Sequence, residues 1–285
     1  MNIRSLWIAL ATGLFLLTRS SSEGQAKPFV PRPSDLLPDQ MDFGWRAVRP
    51  FVPNRTGVLP GWQERTISPT PGPSFEGDEI TFYRNFAPVA NFAALYYPIH
   101  AATNLAQAAL ESSWGDSNLA LNNKNYHGAK LSSRTTPADV TTRIRGIYQR
   151  TGYPMQPYIG RSTQTREEYT PGVHTWEDAV FKAYGAPLDS FLDYAVRSTP
   201  TSGRYSAVAG YTNPFLQLAI IWTDGYASSS RYFRTGSSLI EKFTGQQPPP
   251  GLYALMEEAS TVDYASDARR QYVQRVLQQF PQSRW

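Results

Sequence analysis

Apolar residues recur with a helical period where the chain first becomes regular. Residues 87–97 are almost continuously apolar and predict one helix. Residues 103–114 predict a second helix, in which Ala108 and Ala109 lie on the apolar face and allow close packing against a neighbour. Gly115 follows and is a residue type that commonly ends a helix. The pattern predicts two packed helices near the start of a folded domain.

Helical periodicity returns in the second half of the chain. Residues 187–195 carry an apolar stripe behind an initial proline, a residue that suits the first position of a helix. Residues 213–225 begin with Asn-Pro and end with Gly, which predicts another capped helix. Residues 239–243 indicate a further helix. A terminal amphipathic helix is predicted from one shared face, formed by Tyr272, Val276 and Phe280.

Residues 131–185 differ in composition and are rich in Thr, Tyr, Arg and Gly. The alternation over residues 142–149 predicts short strands and hairpins. Residues 175–178 could instead cap a helix that runs through residues 179–184, and periodicity leaves both interpretations open. Helices, a small β-rich insertion and further helices together predict an α+β fold that is mainly α.

The N-terminal segment has the features of an export signal. Arg4 precedes an apolar run over residues 6–17 that is too short to span a membrane comfortably. Small residues precede a cleavage point before Lys27, which predicts a signal peptide over residues 1–26. The alternative is an uncleaved N-terminal anchor. In either case, we expect the rest of the chain to leave the cytoplasm, with no stable membrane span after cleavage.

Proline content suggests where the folded domain begins and ends. Residues 27–83 form a Pro-rich extension, either a spacer or an arm packed on the domain, in which a regular helix or central strand is not expected over residues 27–80. Residues 84–245 are the predicted domain. A run of three prolines then introduces a C-terminal extension with a helix, residues 246–285.

Composition narrows the possible chemistry. The chain has 285 residues, and its apolar content of 41% with 18% charged residues predicts a globular protein. It contains no cysteine, which excludes disulfides, a cysteine nucleophile and a lipid anchor on Cys. The three histidines are far apart, so neither a metal site nor a cofactor is expected. A net charge of +4 would help association with an anionic polymer such as a cell wall, but an ordinary soluble surface explains it equally well, and it does not indicate nucleic acid.

Glu111 is the candidate for acid–base chemistry. It falls in the last turn of a mostly apolar predicted helix and close to Trp114. Poor solvation disfavours a carboxylate, so we expect the pKa of Glu111 to be raised, as protonation of a glycosidic oxygen requires. The alternative is an ordinary exposed glutamate at a helix end.

The residues around Glu111 carry a family resemblance. Residues 107–117 read Q-A-A-L-E-S-S-W-G-D-S, and residues 125–130 read N-Y-H-G-A-K. The pair resembles the signature of glycoside hydrolase family 73, the bacterial endo-β-N-acetylglucosaminidases of the flagellar-rod and autolysin types, which typically read A-Q-A-A-L-E-S-G-W-G-x-S and N-L-F-G-I-K. The resemblance implies a lysozyme-like helical domain with a small β-lobe beside the cleft. It also implies cleavage of peptidoglycan glycan strands, with Glu111 as general acid.

Further segments extend this resemblance over residues 84–243. Residues 165–169 resemble a T-x-E-Y stretch of the β-lobe that carries a second acidic residue, here Glu168 or Glu167, with Glu168 favoured because it directly precedes a tyrosine. Residues 180–184 and 189–194 resemble the F-R-x-Y and S-x-x-D-Y elements. Tyr226 and Tyr232 match tyrosines that line the family's cleft. The chain departs from the family at Ser113, at Tyr126-His127 and at residues 228–231, so the geometry near Tyr226 is left open.

The resemblance implies roles for several side chains. Glu168 would stabilise the developing positive charge or activate water, and the substrate's N-acetyl group is another possible nucleophile. Tyr226 would orient that group or the water. The other candidates would contact sugar: Trp114, Tyr126 and Tyr232 by stacking, His127 and Asn125 by hydrogen bonds, and Glu167. The alternatives are packing in the protein for the aromatic residues, a structural role for His127, and a bond to backbone for Asn125. For either glutamate the alternative is a surface charge on a hairpin.

Two other functions remain open at this stage. A lytic transglycosylase shares the fold type and an E-S motif but leaves an anhydro sugar. A non-catalytic protein could bind peptidoglycan for assembly, with protein partners that the sequence does not identify. The expected location is the periplasm or the cell wall outside the cell.

Overall fold

A computed structural model describes residues 53–72, 74–170, 173–200, 204–263 and 267–281, with the backbone alone at residues 167–170 and 267. The predicted signal peptide, residues 1–26, and the Pro-rich residues 27–52 lie outside the described residues. Among the helices of the described part, none combines the length and the apolar character needed to cross a membrane.

Two long helices open the domain. Helix α1 (Asp78–Tyr96) begins nine residues earlier than the apolar run at 87 predicts, because its first two turns are partly polar and exposed. Helix α2 (Ala101–Ser112) is buried over nearly its whole length. It ends two residues before the predicted 114, since the backbone turns into the left-handed region at Ser113 and Trp114, with φ of 50° and 59°.

The predicted helices of the second half are confirmed. Asn213 caps its helix as the sequence indicates, because its side chain accepts hydrogen bonds from the backbone N–H groups of Phe215 and Leu216. Pro187 and Pro214 occupy first-turn positions. The remaining helices are α3 (Asn118–Asn123), α4 (Pro137–Thr151), α5 (Pro187–Ala195), α6 (Pro214–Thr223), α7 (Tyr232–Thr244), α8 (Leu252–Ser260) and α9 (Asp267–Gln279).

The prediction of strands over residues 142–149 is wrong, because they belong to helix α4. Thr136 and Asp139 form a reciprocal capping box at its start, with a proline at the first position. Ile147 and Thr151 lie buried on one face of α4. The Thr and Arg residues that suggested alternation are the exposed side of an amphipathic helix.

A single antiparallel hairpin forms the β-lobe of the described chain. Strand β1 (Ile159–Thr170) pairs with β2 (Val173–Ala183), so residues 175–183 are strand rather than helix. Residues 129–131 run beside β2, where Leu131 N–H donates to Val180 and Lys182 N–H donates to Ala129. The predicted α+β class, mainly α with a small β-lobe beside a cleft, is confirmed.

Helix α2 lies at the centre of the core and contacts α1, α5, α6 and α7. Ala101, Ala102, Ala106 and Ala108 are fully buried there, and side chains this small let four helices approach one axis. The C-terminal end of α2 leaves the core beside the hairpin, which carries Glu111 from the interior to the cleft.

The described residues of the Pro-rich extension that precede α1 form an arm packed on the domain. Residues 78–83, which were expected to belong to the extension, are the start of α1 instead. Arg65 is buried and donates to the backbone carbonyls of Ala94 and Pro60. Ile67 exchanges two hydrogen bonds with the side chain of Asn91 on α1, at 2.9 and 2.8 Å. The arm therefore satisfies its backbone against α1.

Candidate active site

Glu111 lies at the floor of a cleft of about 670 Å³ between the helical body and the hairpin. Cavities of roughly 300–1,000 Å³ are typical of ligand sites. The turn after Glu111 is held by Ser112, whose hydroxyl accepts from Gly115 N–H at 2.8 Å and donates to the Ala108 carbonyl at 2.6 Å. The serine of the E-S motif thus fixes the helix end, and Glu111 remains partly exposed to the cleft.

The loop over residues 125–129 is pinned so that its glycine meets Glu111. The side chain of Asn125 accepts from Ala129 N–H at 2.9 Å and donates to the carbonyls of Ala129 and Lys182. Gly128 has φ of +56°, and a Cβ placed on it would lie 2.8 Å from Oε2 of Glu111. A side chain at this position would displace the carboxyl group, and the positive φ also favours glycine.

His127 anchors the same loop from within the core. Its ring nitrogens lie 3.1 Å from Ser190 Oγ and 2.7 Å from Asn104 Oδ1, and the ring stacks on Tyr194. Burial lowers the pKa of His127 to about 3, so the ring is neutral at physiological pH. A buried ring with both nitrogens engaged favours the structural role over a bond to sugar.

A directed chain of hydrogen bonds reaches Glu111 from the core. The Tyr194 hydroxyl donates to Oε1 of Gln107, whose Nε2 donates to the Tyr232 hydroxyl at 3.3 Å. Tyr232 in turn is hydrogen-bonded to Glu111. Because Gln107 donates to Tyr232, the hydroxyl proton of Tyr232 points to the carboxyl group.

Tyr226 lies in the cleft beside this chain. Its hydroxyl donates to the His127 carbonyl at 2.7 Å, so it helps to hold the glycine loop. Burial and then the negative charge of Glu111 raise the pKa of Tyr226 and Tyr232 well above their usual value. Both tyrosines remain hydrogen-bond donors across the physiological pH range.

A buried ion cluster supports the wall of the cleft. Asp193 accepts from Lys182 Nζ at 2.8 Å and from the Tyr184 hydroxyl at 2.7 Å, and its other oxygen accepts from Arg143. Burial acts to raise the pKa of Asp193, but Arg143, Lys182 and Arg197 hold it well below its usual range. Asp193 is therefore an ionised anchor and not a proton donor.

The structure brings some of the predicted residues together and separates others. Glu111, His127, Tyr226 and Tyr232 line the cleft. Trp114 packs edge-on against Phe82 and Phe243. Tyr126 is buried against Phe86. Neither aromatic ring is among the lining residues, which favours core packing for both, and Asn125 is fully buried with its amide engaged within the protein.

The two β-lobe glutamates are placed by their backbone. Glu167 pairs with Thr175 in the hairpin register, and Glu168 follows it in β1. Thr165 and Arg166, immediately before them, line the cleft. This stretch of β1 therefore runs along the cleft rim up to the position of the two glutamates.

Sequence reasoning missed the basic character of the cleft. Arg143 comes from α4, Lys182 from β2 and Arg197 from the turn after α5, and only tertiary structure brings them together. It also missed Gln107, which the motif contains and which orders the tyrosine chain. The Asn-x-x-Gly spacing in residues 125–128 was the available signal for Gly128.

A partly exposed glutamate at the floor of a sugar-sized cleft, between a helical body and a β-hairpin, is the arrangement of a glycoside hydrolase domain. The chain belongs to the glucosaminidase family, whose model, described as mannosyl-glycoprotein endo-beta-N-acetylglucosaminidase, matches residues 87–245. This confirms the resemblance to the glucosaminidases.

Several solved structures are similar to this chain at low identity. The C-terminally truncated glycoside hydrolase domain of FlgJ from Salmonella typhimurium is 23% identical with a TM-score of 0.40, and the match covers 59% of this chain and 98% of that one. A peptidoglycan hydrolase mutant from Sphingomonas sp. A1 is 23% identical with a TM-score of 0.42, covering 68% and 98%. The catalytic domain of the autolysin Auto from Listeria monocytogenes is 21% identical with a TM-score of 0.42, covering 60% and 86%. No curated protein matches the chain.

Proposed function

We propose that this chain is an exported peptidoglycan hydrolase that cleaves the β-1,4 bond after N-acetylglucosamine, with Glu111 as its general acid. The observation that carries the proposal is the setting of Glu111. Its carboxyl group lies in the cleft, is hydrogen-bonded to Tyr232 and approaches a loop glycine so closely that a side chain there would displace it. Such fixed geometry is what proton transfer to a bound substrate needs.

The proton transfer follows from the hydrogen bonds. Because Tyr232 donates to one carboxyl oxygen of Glu111, the acid form carries its proton on the other oxygen. That proton passes to the glycosidic oxygen as the bond from the anomeric carbon to that oxygen breaks. Water then adds hydroxide to the anomeric carbon and returns a proton to Glu111, so the enzyme is restored.

The positive charge at the anomeric carbon needs a partner. Among the described residues that line the cleft, Glu111 is the only carboxylate. We therefore assign the charge to the N-acetyl group of the substrate or to Glu168, with Glu167 as the alternative, since β1 runs along the rim up to these residues. Tyr226, held by its bond to the His127 carbonyl, orients the N-acetyl group or the water.

The family and the charge of the cleft support the proposed substrate and location. Membership of the glucosaminidase family supports cleavage after N-acetylglucosamine. A cleft lined by several cations suits a glycan that carries carboxylates, as peptidoglycan does. Peptidoglycan lies outside the cytoplasm, and residues 1–26 supply the proposed export signal. N-terminal sequencing of protein recovered from the periplasm or medium should begin at Lys27; recovery of the full chain with its own Met1 would contradict cleavage.

Product analysis tests the reaction itself. Purified peptidoglycan is digested with the protein, and the fragments are separated and weighed by mass spectrometry. We expect fragments that end in reducing N-acetylglucosamine. Anhydromuramic ends would identify a lytic transglycosylase instead, and binding to the wall without any fragments would identify a non-catalytic protein.

A further inference from the structure

Arg197 is a cation of the cleft whose guanidinium is not held by a fixed partner among the described residues. It lies in the short 3₁₀ turn Val196–Ser198 directly after α5, and it lines the same cleft as Glu111. It is only partly exposed. Its guanidinium makes no hydrogen bond or ion pair with any residue in the described part of the chain. The backbone around it is satisfied, since its carbonyl accepts from Tyr205 N–H at 2.9 Å.

The nearby carboxylate does not explain this arginine. Asp193 already accepts from Lys182, Arg143 and Tyr184, so both of its oxygens are occupied. Lys182 and Arg143 already outnumber this single carboxylate, so Arg197 adds further positive charge to a cluster that is cationic without it. Burial acts to lower the pKa of Arg197, but Tyr205, Asp193 and other neighbours raise it above its usual value, so it stays charged.

A partly buried, unpaired guanidinium is costly to keep, because it loses water without gaining a fixed partner. Such a group is stabilised when a ligand supplies an anion. Arg204, which also lines the cleft, donates through Nη2 to the Asp224 and Gly225 carbonyls and stacks over Tyr205. It adds positive potential to the same cleft.

We infer that Arg197 forms a carboxylate-binding subsite of the cleft, which takes an acidic group carried by the muramic acid residue of the substrate. A guanidinium binds a carboxylate through two parallel hydrogen bonds, which the unpaired donors of Arg197 permit. The inference rests on the proposed peptidoglycan substrate. It adds that the enzyme distinguishes carboxylate-bearing glycan from a neutral N-acetylated glycan of the same length.

Two acidic groups of peptidoglycan have this chemistry. One is the lactyl carboxylate of muramic acid that has lost its peptide. The other is a carboxylate of the attached peptide. In that case the lactyl carboxyl group forms the amide bond to the peptide and carries no charge. Three probes separate these sources: the disaccharide of N-acetylglucosamine and N-acetylmuramic acid as the free acid, the same disaccharide as its neutral lactyl methylamide, and the disaccharide bearing an L-Ala–D-Glu dipeptide.

Binding of the three probes is measured by NMR titration with the Glu111→Gln variant, so that no turnover occurs. At least one carboxylate-bearing probe should bind about tenfold more tightly than the methylamide, as expected for a charge-assisted pair. Adding Arg197→Gln should remove this difference. Tighter binding of the free acid assigns the lactyl carboxylate, and tighter binding of the dipeptide probe alone assigns the peptide.

The matched control is Arg234→Gln in the same background. Arg234 is an exposed arginine on α7 paired with Glu257, so its loss changes net charge equally but lies outside the lining of the cleft. It should leave the binding ratio unchanged. Thermal unfolding supplies a second readout, because a structural role predicts a lower Tm for Arg197→Gln whereas an unpaired charge predicts an unchanged or higher one.

Three results would overturn the inference. The first is equal affinity for the charged and the neutral probes. The second is a loss of affinity in Arg197→Gln that is the same for all three probes, and the third is a loss of charge selectivity in Arg234→Gln as large as that in Arg197→Gln. The result is separable from the proposed function. Charge-selective binding without reducing fragments would refute the proposed hydrolase activity but support the Arg197 subsite. Hydrolysis without charge selectivity would support the activity and refute the subsite.

Discussion

The contact between Gly128 and Glu111 can be tested by adding one methyl group. In Gly128→Ala the new Cβ would lie 2.8 Å from Oε2 of Glu111, and ordinary contact begins near 3.4 Å. The carboxyl group must therefore retreat by about 0.6 Å, and displacements approaching 1 Å can cost about 100-fold in rate. We expect the initial rate of peptidoglycan clearing to fall about 10- to 100-fold.

Backbone strain must be separated from the loss of position. Gly128 has φ of +56°, where alanine costs about 1–2 kcal/mol. Gly245→Ala is the matched control, since it has φ of +68° and nothing within 4 Å of the added atom. Both variants should lower Tm by a similar few degrees, while only Gly128→Ala loses activity. Near-normal clearing by Gly128→Ala, or equal loss in Gly245→Ala, would refute the reasoning.

Three further outcomes are expected. Tyr232→Phe removes the hydroxyl that donates to Glu111 and should slow clearing about tenfold or more. It also leaves Nε2 of the buried Gln107 without its acceptor, so Tm should fall as well; an unchanged rate would contradict the chain. Asp193→Asn leaves Lys182 buried without its counter-ion and should cost about 3–5 kcal/mol in urea unfolding, so a loss below about 1 kcal/mol would argue against the cluster. His127 has a folded pKa of about 3, below an unfolded value of about 6.5. The unfolded state therefore takes up the proton first, and this group costs roughly 3 kcal/mol of stability between pH 7 and pH 4. His127→Gln should reduce the pH dependence of the urea midpoint, while the part from His100, whose pKa burial also lowers to about 3, remains. An identical slope would exclude His127 as a source.

The helices of the core were predictable because their signals are local. Asn213 and Pro214 indicate the start of α6. The residues around Gly115 indicate the end of α2. Glu111 could be proposed as the acid for the same reason, since its place at the end of an apolar helix and its motif both lie within a dozen residues. Local patterns of this kind specify secondary structure that does not depend on contacts with residues distant in the sequence.

Helix α4 was missed although its start signal was present. Its Thr and Arg side chains suit strands by propensity, and this outweighed the capping box of Thr136 and Asp139. The buried face, with Ile147 and Thr151, is narrow and interrupted by polar residues. A capping signal deserved more weight than composition in this segment.

The cleft was the least predictable part because it depends on distant residues. Arg197 and Glu111 are far apart in the sequence and line the same cleft only after the helices pack. Tyr126 precedes His127 in a motif that looks like sugar-binding chemistry, yet folding turns both rings into the core. Spacing along the chain carries no information about which way such rings turn.

The role of Glu111 is tested most directly by peptidoglycan clearing with Glu111→Gln beside Glu257→Gln, an exposed glutamate paired with Arg234. Circular dichroism establishes that both variants are folded. The account predicts that Glu257→Gln clears the wall like the unmodified protein, whereas Glu111→Gln loses about 100-fold or more of the rate. Clearing by Glu111→Gln at the unmodified rate would contradict the account.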